Sequence, residues 1–423
     1  MPNRLTRWII VGLVLGIVSG YVAFVFFPDS RSGFAANMSL LPMIFLRLIK
    51  MIIAPLVFAT LVVGIAKMGD IATVGRVGGK ALGWFLSASL VSLTLGLVLV
   101  QLFEPGRHMS LPLPEANTES GIKGGALSLK GFITHLIPQS AIEAMANNEI
   151  LQIVVFSLFF GVAMAAMGAR SKSVTDVLDV VAHVMLKVTG YVMNFAPFAV
   201  FGALAGTVAE KGLGILQVYG LFMGEFYLGL AILWTLLVIA GFIVVGPRIL
   251  ELIKRLRSPV LLAFSTASSE AAYPRTLEEL ERFGCSNRVA SFVLPVGYSF
   301  NLDGSMMYCT FAVMFIAQVY GIDLTISQQI VMVAILMLTS KGIAGVPRAS
   351  LVVIAATLPQ FNIPGEGIVL LFAIDHFLDM GRSATNVVGN SVATAVVSKW
   401  EGELTPGAVS TDVIVEPAQT RVT

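Results

Sequence analysis

Charge is what this sequence has least of. Only 12% of its 423 residues are Asp, Glu, Lys or Arg, about half the share usual in soluble domains. A chain so poor in charge cannot coat a water-facing surface of its own. With 56% hydrophobic residues, it reads as an all-α polytopic membrane protein lodged in lipid. The net charge of +2 offers no strongly basic face, which excludes a nucleic-acid partner. Two cysteines, Cys285 and Cys309, are too few for a disulfide framework; both read as packing residues. His108, His135 and His183 have no partner pattern and suggest no metal centre.

Glycine and proline, by contrast, are plentiful (40 and 18), which points to closely packed and broken helices. The apolar runs predict eight spans near residues 8–27, 40–66, 81–103, 149–168, 176–206, 214–246, 290–320 and 367–397. The first is too long for a signal-peptide core. Arg4 and Arg7, then Lys67, Arg76 and Lys80, then Arg170 and Lys172, then Arg248, Lys254, Arg255 and Arg257 all fall on one side when both termini are cytoplasmic. The expected location is the inner membrane of a bacterium. The loop at 104–148 contains an amphipathic part, ITHLIPQSAIEAMANNEI, that predicts short helices over the outer surface.

The last span carries polar groups that lipid does not tolerate. Asp375, Asp379, Arg382, Ser383, Asn386 and Asn390 fall within roughly a 100° sector of a helix. They form a stripe about 22 Å long at the helical rise. Ionisable groups on a lipid-facing surface are costly, so the stripe faces protein or water and reads as a solute or ion pathway. The plainer reading is a packing seam held by the Asp379–Arg382 pair.

Two apolar segments break in their middles. PVLLAFSTASSEAAYPRTLEELERF breaks near Ser268-Ser269, and QQIVMVAILMLTSKGIAGVPRASLVVIAATL breaks at Ser340-Lys341-Gly342. Each predicts a re-entrant helical hairpin, because irregular backbone at that depth must be buried in protein or line a cavity. With one span between them they enter from opposite sides, as an inverted repeat. That intervening span is itself interrupted at Asn301, Asp303, Gly304 and Ser305, where carbonyl and carboxylate oxygens suit a small hard cation.

From about residue 259 to residue 402, these pieces resemble the glutamate transporter homologues, the dicarboxylate/amino acid:cation symporter family. The Ser268-Ser269 tip, NLDGS at 301–305, AGVP at 344–347 and DMGRSATNVVGN at 379–390 carry the resemblance. It implies a homotrimer in a lipid membrane working as an elevator, with eight transmembrane helices and two hairpins. The scaffold would be helices 1 and 2 (1–80) and the outer loop with helices 4 and 5 (104–206). The moving body would be helix 3 (81–103), helix 6 (207–256) and a core at 257–402. Residues 403–423 would be a disordered cytoplasmic tail.

The same resemblance implies roles. Arg382 would pair a side-chain carboxylate of the substrate and Asp379 its α-amino group, with Asn386 and Ser383 on the α-carboxylate and amine. Ser268, Ser269, Ser305, Gly345 and Val346 would complete the substrate site. Gly342, Ala344, Gly345 and Pro347 would form the gate. Asp303, Asn301, Asn386, Asn390, Ser89 and Gly297 would hold a cation, with Na+ at Asp303 and Asn301. No cofactor is implied beyond the coupling ion, H+ or Na+. Family members dedicated to C4-dicarboxylates tend to lack the acid at Asp379, so the expected substrate is L-glutamate or L-aspartate, with succinate, fumarate or malate as the alternative.

The chain also departs from the pattern. Asn390 stands where sodium-coupled members often carry a carboxylate, Phe85 and Ala88 where hydroxyls are expected, and Ala267 where some members have a second arginine. Cys309 occupies the position that carries protons in animal relatives. Cysteine there closes that proton route, while the lost sodium ligands favour proton coupling, with His376 and Lys341 as candidate groups and sodium as the alternative. Two rivals belong to other classes. An intramembrane enzyme would need Asp375 and Asp379 to share a proton, which Arg382 opposes. A channel would need an open pore, which two closing hairpins disfavour.

Overall fold

The computed structural model describes residues 4–68, 71–108, 137–212, 215–340, 349–372 and 374–405. Among these the protein is helical throughout, apart from turns and one isolated bridge between Cys285 and Leu404. The long helices are α1 (Arg4–Phe26), α2 (Arg31–Met68), α3 (Ile71–Phe103), α4 (Ile150–Met167), α5 (Lys172–Met193), α6 (Ala196–Lys211) and α7 (Ile215–Val245). Then come α8 (Arg257–Thr266), α9 (Tyr273–Phe283), α10 (Asn287–Phe300), α11 (Asp303–Val319), α12 (Ile326–Thr339), α13 (Ala349–Thr357) and α14 (Asp375–Trp400). Six helical stretches among the described residues are long and apolar enough to cross a membrane. This is an integral membrane protein.

Two of the expected spans differ in detail. The one expected at 176–206 is two helices, α5 and α6, separated at Asn194–Phe195 just before Pro197. Proline is favoured at the first turn of a helix because its missing N–H is not needed there. The last span, α14, is long enough at 26 residues but is too polar to count by composition, for the reason its stripe exists.

Glycine spacing explains how α1 packs. Gly12, Gly16 and Gly20 recur every four residues, and a Cβ at each would collide with the backbone of Pro197, Phe201 and Ala205 on α6. Such small-residue stripes let two membrane helices approach closely. Helix α2 runs beside α4, α5 and α6.

The second half is arranged around α14, which packs on α7, α8, α10 and α11. From Met380 to Ser398 it is buried on every face, the mark of a helix at the centre of a bundle. Hydrogen bonds fix its position: Tyr227 Oη donates to the Phe377 carbonyl at 2.6 Å, and Trp234 Nε1 donates to Thr385 Oγ1 at 2.8 Å. Helix α3 is tied to α11 by Thr310 Oγ1, which donates to the Leu93 carbonyl at 2.8 Å.

Helices α8 and α9 are the two arms of the first hairpin. Its turn places Ala267 in the left-handed region (φ 49°). Helices α12 and α13 flank the second turn, with a Thr325–Gln328 capping box starting α12. The tip itself, residues 341–348, lies outside the described residues, and with it Lys341, Gly342, Ala344, Gly345, Val346 and Pro347.

The chain does not come loose after α14. The resemblance predicts that Glu403–Thr405 begins a disordered tail. Instead the Thr405 N–H donates to the Gly284 carbonyl at 3.0 Å and the Ser286 N–H to the Glu403 carbonyl at 3.1 Å. Arg288 pairs with Glu403. Just before this strap, Glu401 takes an ion pair from Lys80 at 2.7 Å and another from Arg76 at 3.0 Å.

Candidate functional site

A cavity of about 620 Å³ lies where α14 meets the first hairpin turn, α2 and α6. The polar stripe supplies one wall with Asp375, Asp379, Arg382, Ser383 and Asn386, while Ser268, Ser269 and Ser305 supply others. The stripe is thus a single face of one helix, as its spacing predicts.

Arg382 is the centre of this wall and is only 1% exposed. Its Nη2 lies 2.9 Å from Asp379 and 3.3 Å from Asp375. The Tyr308 ring lies under the guanidinium carbon at 4.1 Å, a cation–π contact. Tyr308 Oη also donates to Asp375 Oδ1 at 3.3 Å. A buried guanidinium needs this much matching, since desolvating a charge is expensive. Arg382 Nε and Nη1 carry no hydrogen bond among the described residues. The guanidinium therefore has donor capacity that its two carboxylate partners do not use.

Ser268 and Ser269 are placed by the turn rather than by a helix. The Ser268 N–H donates to the Ala263 carbonyl at 3.1 Å, and Ser268 Oγ accepts from the Ala271 N–H at 3.3 Å. Asn386 joins the cavity to the interrupted span. Its Oδ1 accepts from the Gly304 N–H at 2.9 Å, and its Nδ2 donates to Ser305 Oγ at 3.2 Å.

Behind the cavity is a second, closed cluster. The interruption is shorter than the sequence suggests: only Asn301 and Leu302 are non-helical, and Asp303, Gly304 and Ser305 already belong to the first turn of α11. Asn301 Nδ2 donates to Asp303 Oδ2 at 3.0 Å and to Asn390 Oδ1 at 3.2 Å. Ser92 Oγ reaches Asp303 Oδ1 at 3.2 Å. Asn301 and Asp303 are fully buried, and Asn301 Oδ1 has no hydrogen-bond partner among the described residues. Ser89 Oγ sits beside the break, 3.4 Å from the Phe300 carbonyl. The Gly297 carbonyl accepts the Asn301 N–H at 2.7 Å, so it already serves the helix end.

Two glycines make the cluster sterically feasible. A Cβ at Gly389 would overlap Asp303 Oδ2, and one at Gly297 would overlap Asn390 Oδ1. Phe85 also comes against Gly297 and brings an apolar ring to this end of the cluster. One carboxylate, two amides and two nearby hydroxyls form an oxygen-rich set that suits a hard monovalent cation.

Comparison with known proteins identifies the architecture. The sodium:dicarboxylate symporter family matches residues 5–400. The chain is 38% identical over 407 residues to the C4-dicarboxylate transport protein of Bacillus subtilis, covering 95% of this chain and 94% of that one. It is 39% identical over 404 residues to the proton/sodium-glutamate symport protein of Bacillus caldotenax, covering 93% and 94%. The chain belongs to the sodium:dicarboxylate symporter family. It is a transporter and not an enzyme.

For this symporter the structure adds groups that sequence reading gave no role. Asp375 is a second acid on Arg382, and Tyr308 supports both. Ser92 faces Asp303. Arg47 and Lys50 of α2 and Glu270 of the first hairpin line the cavity. Asp375 was legible as a stripe member. The others belong to different helices, and nothing in their local sequence announces the meeting. His376 does line the cavity, and Asn390 lies behind it in the closed cluster.

Proposed function

We propose that this symporter imports an acidic amino acid, L-glutamate or L-aspartate, with a coupling cation. The observation that carries the reading is Arg382 flanked by Asp379 and Asp375 on the cavity wall. One guanidinium between two carboxylates leaves that wall with a surplus of negative charge. A ligand bearing an ammonium as well as carboxylates complements it better than a plain dianion does. Arg382 takes the side-chain carboxylate, Asp379 the ammonium, and Ser383 and Asn386 the remaining polar groups. Ser268, Ser269 and Ser305 close from the facing elements, and by the resemblance Gly345 and Val346 would join the substrate site, while Gly342, Ala344, Gly345 and Pro347 would serve as its gate.

The second reading, a C4-dicarboxylate symporter, is supported by relatives that carry that name at the same level of identity. Those named proton/sodium-glutamate symport protein support the first.

For the coupling ion we favour the proton. Asn390 supplies an amide where a carboxylate would strengthen a sodium site, and Phe85 replaces a hydroxyl. Sodium at Asp303 and Asn301 is the alternative. The division of labour follows the resemblance. Helices α1, α2, α4, α5 and α6 form a trimeric scaffold, and α3 with α7 to α14 move as an elevator in a bacterial inner membrane with both termini cytoplasmic.

The test is uptake of labelled L-aspartate, L-glutamate and succinate into proteoliposomes. One arm imposes a sodium gradient at equal pH, and the other an acid-outside gradient without sodium. Amino-acid uptake on the proton gradient alone is the expected result. Uptake of succinate but neither amino acid would overturn the role given to Asp379.

A further inference from the structure

One carboxylate on the cavity wall is not matched on its own helix. Glu270 follows Ser268 and Ser269, opens the single 3₁₀ turn Glu270–Ala272, and lines the same cavity as Arg382. It is half-buried. Asp375 and Asp379 each touch the Arg382 guanidinium. Glu270 makes no hydrogen bond through its side chain and no ion pair among the described residues; Lys50 of α2 acts on it through space. The other charged groups on this wall are Arg47 on α2, Glu210 on α6, and His376 beside the acids of α14. Tyr298 of α10 lines the same wall, and Tyr273, which opens α9, stacks edge-on against it at 5.6 Å. Neither ring brings a charge. Arg275 on α9 is committed to Glu278 and Glu279, at 2.5 and 2.7 Å.

Resting on the reading of this site as one for an anionic substrate, we propose that Glu270 is the proton-carrying group of the transport cycle. In the empty cavity its carboxylate supplies negative charge to Lys50. A substrate carboxylate entering the cavity is a second anion on the same wall, and the two charges oppose each other. Glu270 relieves this by binding one proton from the outer solution, forming the neutral carboxylic acid. When the substrate leaves on the inner side, the same proton is released there. Substrate and proton are linked through the mutual repulsion of two anions lining one cavity, and such linkage is reciprocal.

The experiment measures substrate affinity against pH and proton-driven uptake, using the full chain in proteoliposomes with L-aspartate and L-glutamate as probes. In the unsubstituted protein the apparent Kd weakens about tenfold per pH unit on the alkaline side, the slope for one linked proton. Glu270→Gln is expected to bind and exchange substrate with no pH slope and to lose accumulation on a proton gradient. Retention of both the slope and the accumulation in Glu270→Gln would overturn the proposal. Where the Gln variant yields no folded protein, Glu270→Asp decides. A shifted midpoint of the affinity profile supports Glu270, and an unmoved midpoint overturns it. Failure of the two readings is distinguishable. Sodium-driven uptake with no pH slope in the unsubstituted protein removes the role of Glu270 and leaves the symporter intact. No uptake of either amino acid under any gradient removes the substrate reading itself.

Discussion

Asn301 donates its amide to Asn390 Oδ1 at 3.2 Å, joining the break before α11 to α14 across 89 residues of sequence. The same Asn301 amide holds Asp303 at 3.0 Å. One carboxylate is therefore bracketed by neutral donors, and the charge of the cluster is set by Asp303 together with whatever residue stands at 390.

Asn390→Asp would add a second carboxylate to that cluster. A second anionic oxygen strengthens a site for a hard cation. The expected outcome is at least a tenfold gain in apparent sodium affinity, about 1.4 kcal/mol, read as sodium stimulation of aspartate uptake at constant pH. An unchanged sodium dependence would count against this cluster as an ion site.

Arg382→Lys keeps the charge and loses the planar fork. A charge-assisted hydrogen bond is worth about 1.5–3 kcal/mol, so affinity for acidic amino acids should fall roughly ten- to a hundredfold. Isothermal titration with aspartate checks this, with serine as the neutral comparison. Arg382→Ala is the harsher change, because it leaves Asp375 and Asp379 together without a cation. It should lower the thermal midpoint even without ligand.

Asp379→Asn separates the two substrate readings. If Asp379 holds an ammonium, the variant loses about ten- to a hundredfold in amino-acid affinity by the same bond energy, while succinate binds as well or better. Equal losses for both ligands would assign Asp379 to positioning Arg382, which it touches at 2.9 Å.

Glu401 offers a pH-dependent measurement outside the membrane. Burial alone would raise its carboxyl, but Arg76 and Lys80 outweigh that and hold it below the ordinary 4.5. A carboxyl depressed in the folded state stabilises fully above its unfolded value and loses that contribution as pH falls through the folded one. The Glu401 ion pairs should therefore weaken only below about pH 4.5. Glu401→Gln should cost about 0.5–1 kcal/mol at pH 7, since both partners are partly exposed, and the difference from the parent should vanish in acid. Thermal melts in detergent at pH 7 and pH 3.5 read this directly.

Much of the protein was legible without coordinates, for physical reasons. Lipid demands long apolar helices with satisfied backbones, so scarcity of charge alone announces the class. The stripe on α14 was legible because helical periodicity turns a spacing of three and four residues into a shared face. The hairpin turn at Ser268–Ser269 was legible because a run of small polar residues cannot continue an apolar span. The Asn301–Leu302 break was legible in place but not in extent, since Asp303 and Gly304 are as much at home in a first helical turn as in a loop.

Other features depended on tertiary structure. That Tyr308 lies beneath Arg382, that Ser92 reaches Asp303, and that Glu401 closes on Arg76 and Lys80 are meetings between helices far apart in the chain. Helical periodicity determines which face a residue occupies, and it says nothing about which other face comes opposite. That choice is made by packing: by glycines such as Gly389, whose missing side chain admits Asp303 Oδ2, and by anchors such as Tyr227 on the Phe377 carbonyl. The sequence by itself determined the membrane class, the stripe and the broken segments, because these follow from local solvation and repeat distance. The partners of each buried charge were decided only when the helices met, because a desolvated charge takes its stability from groups that the chain brings in from elsewhere.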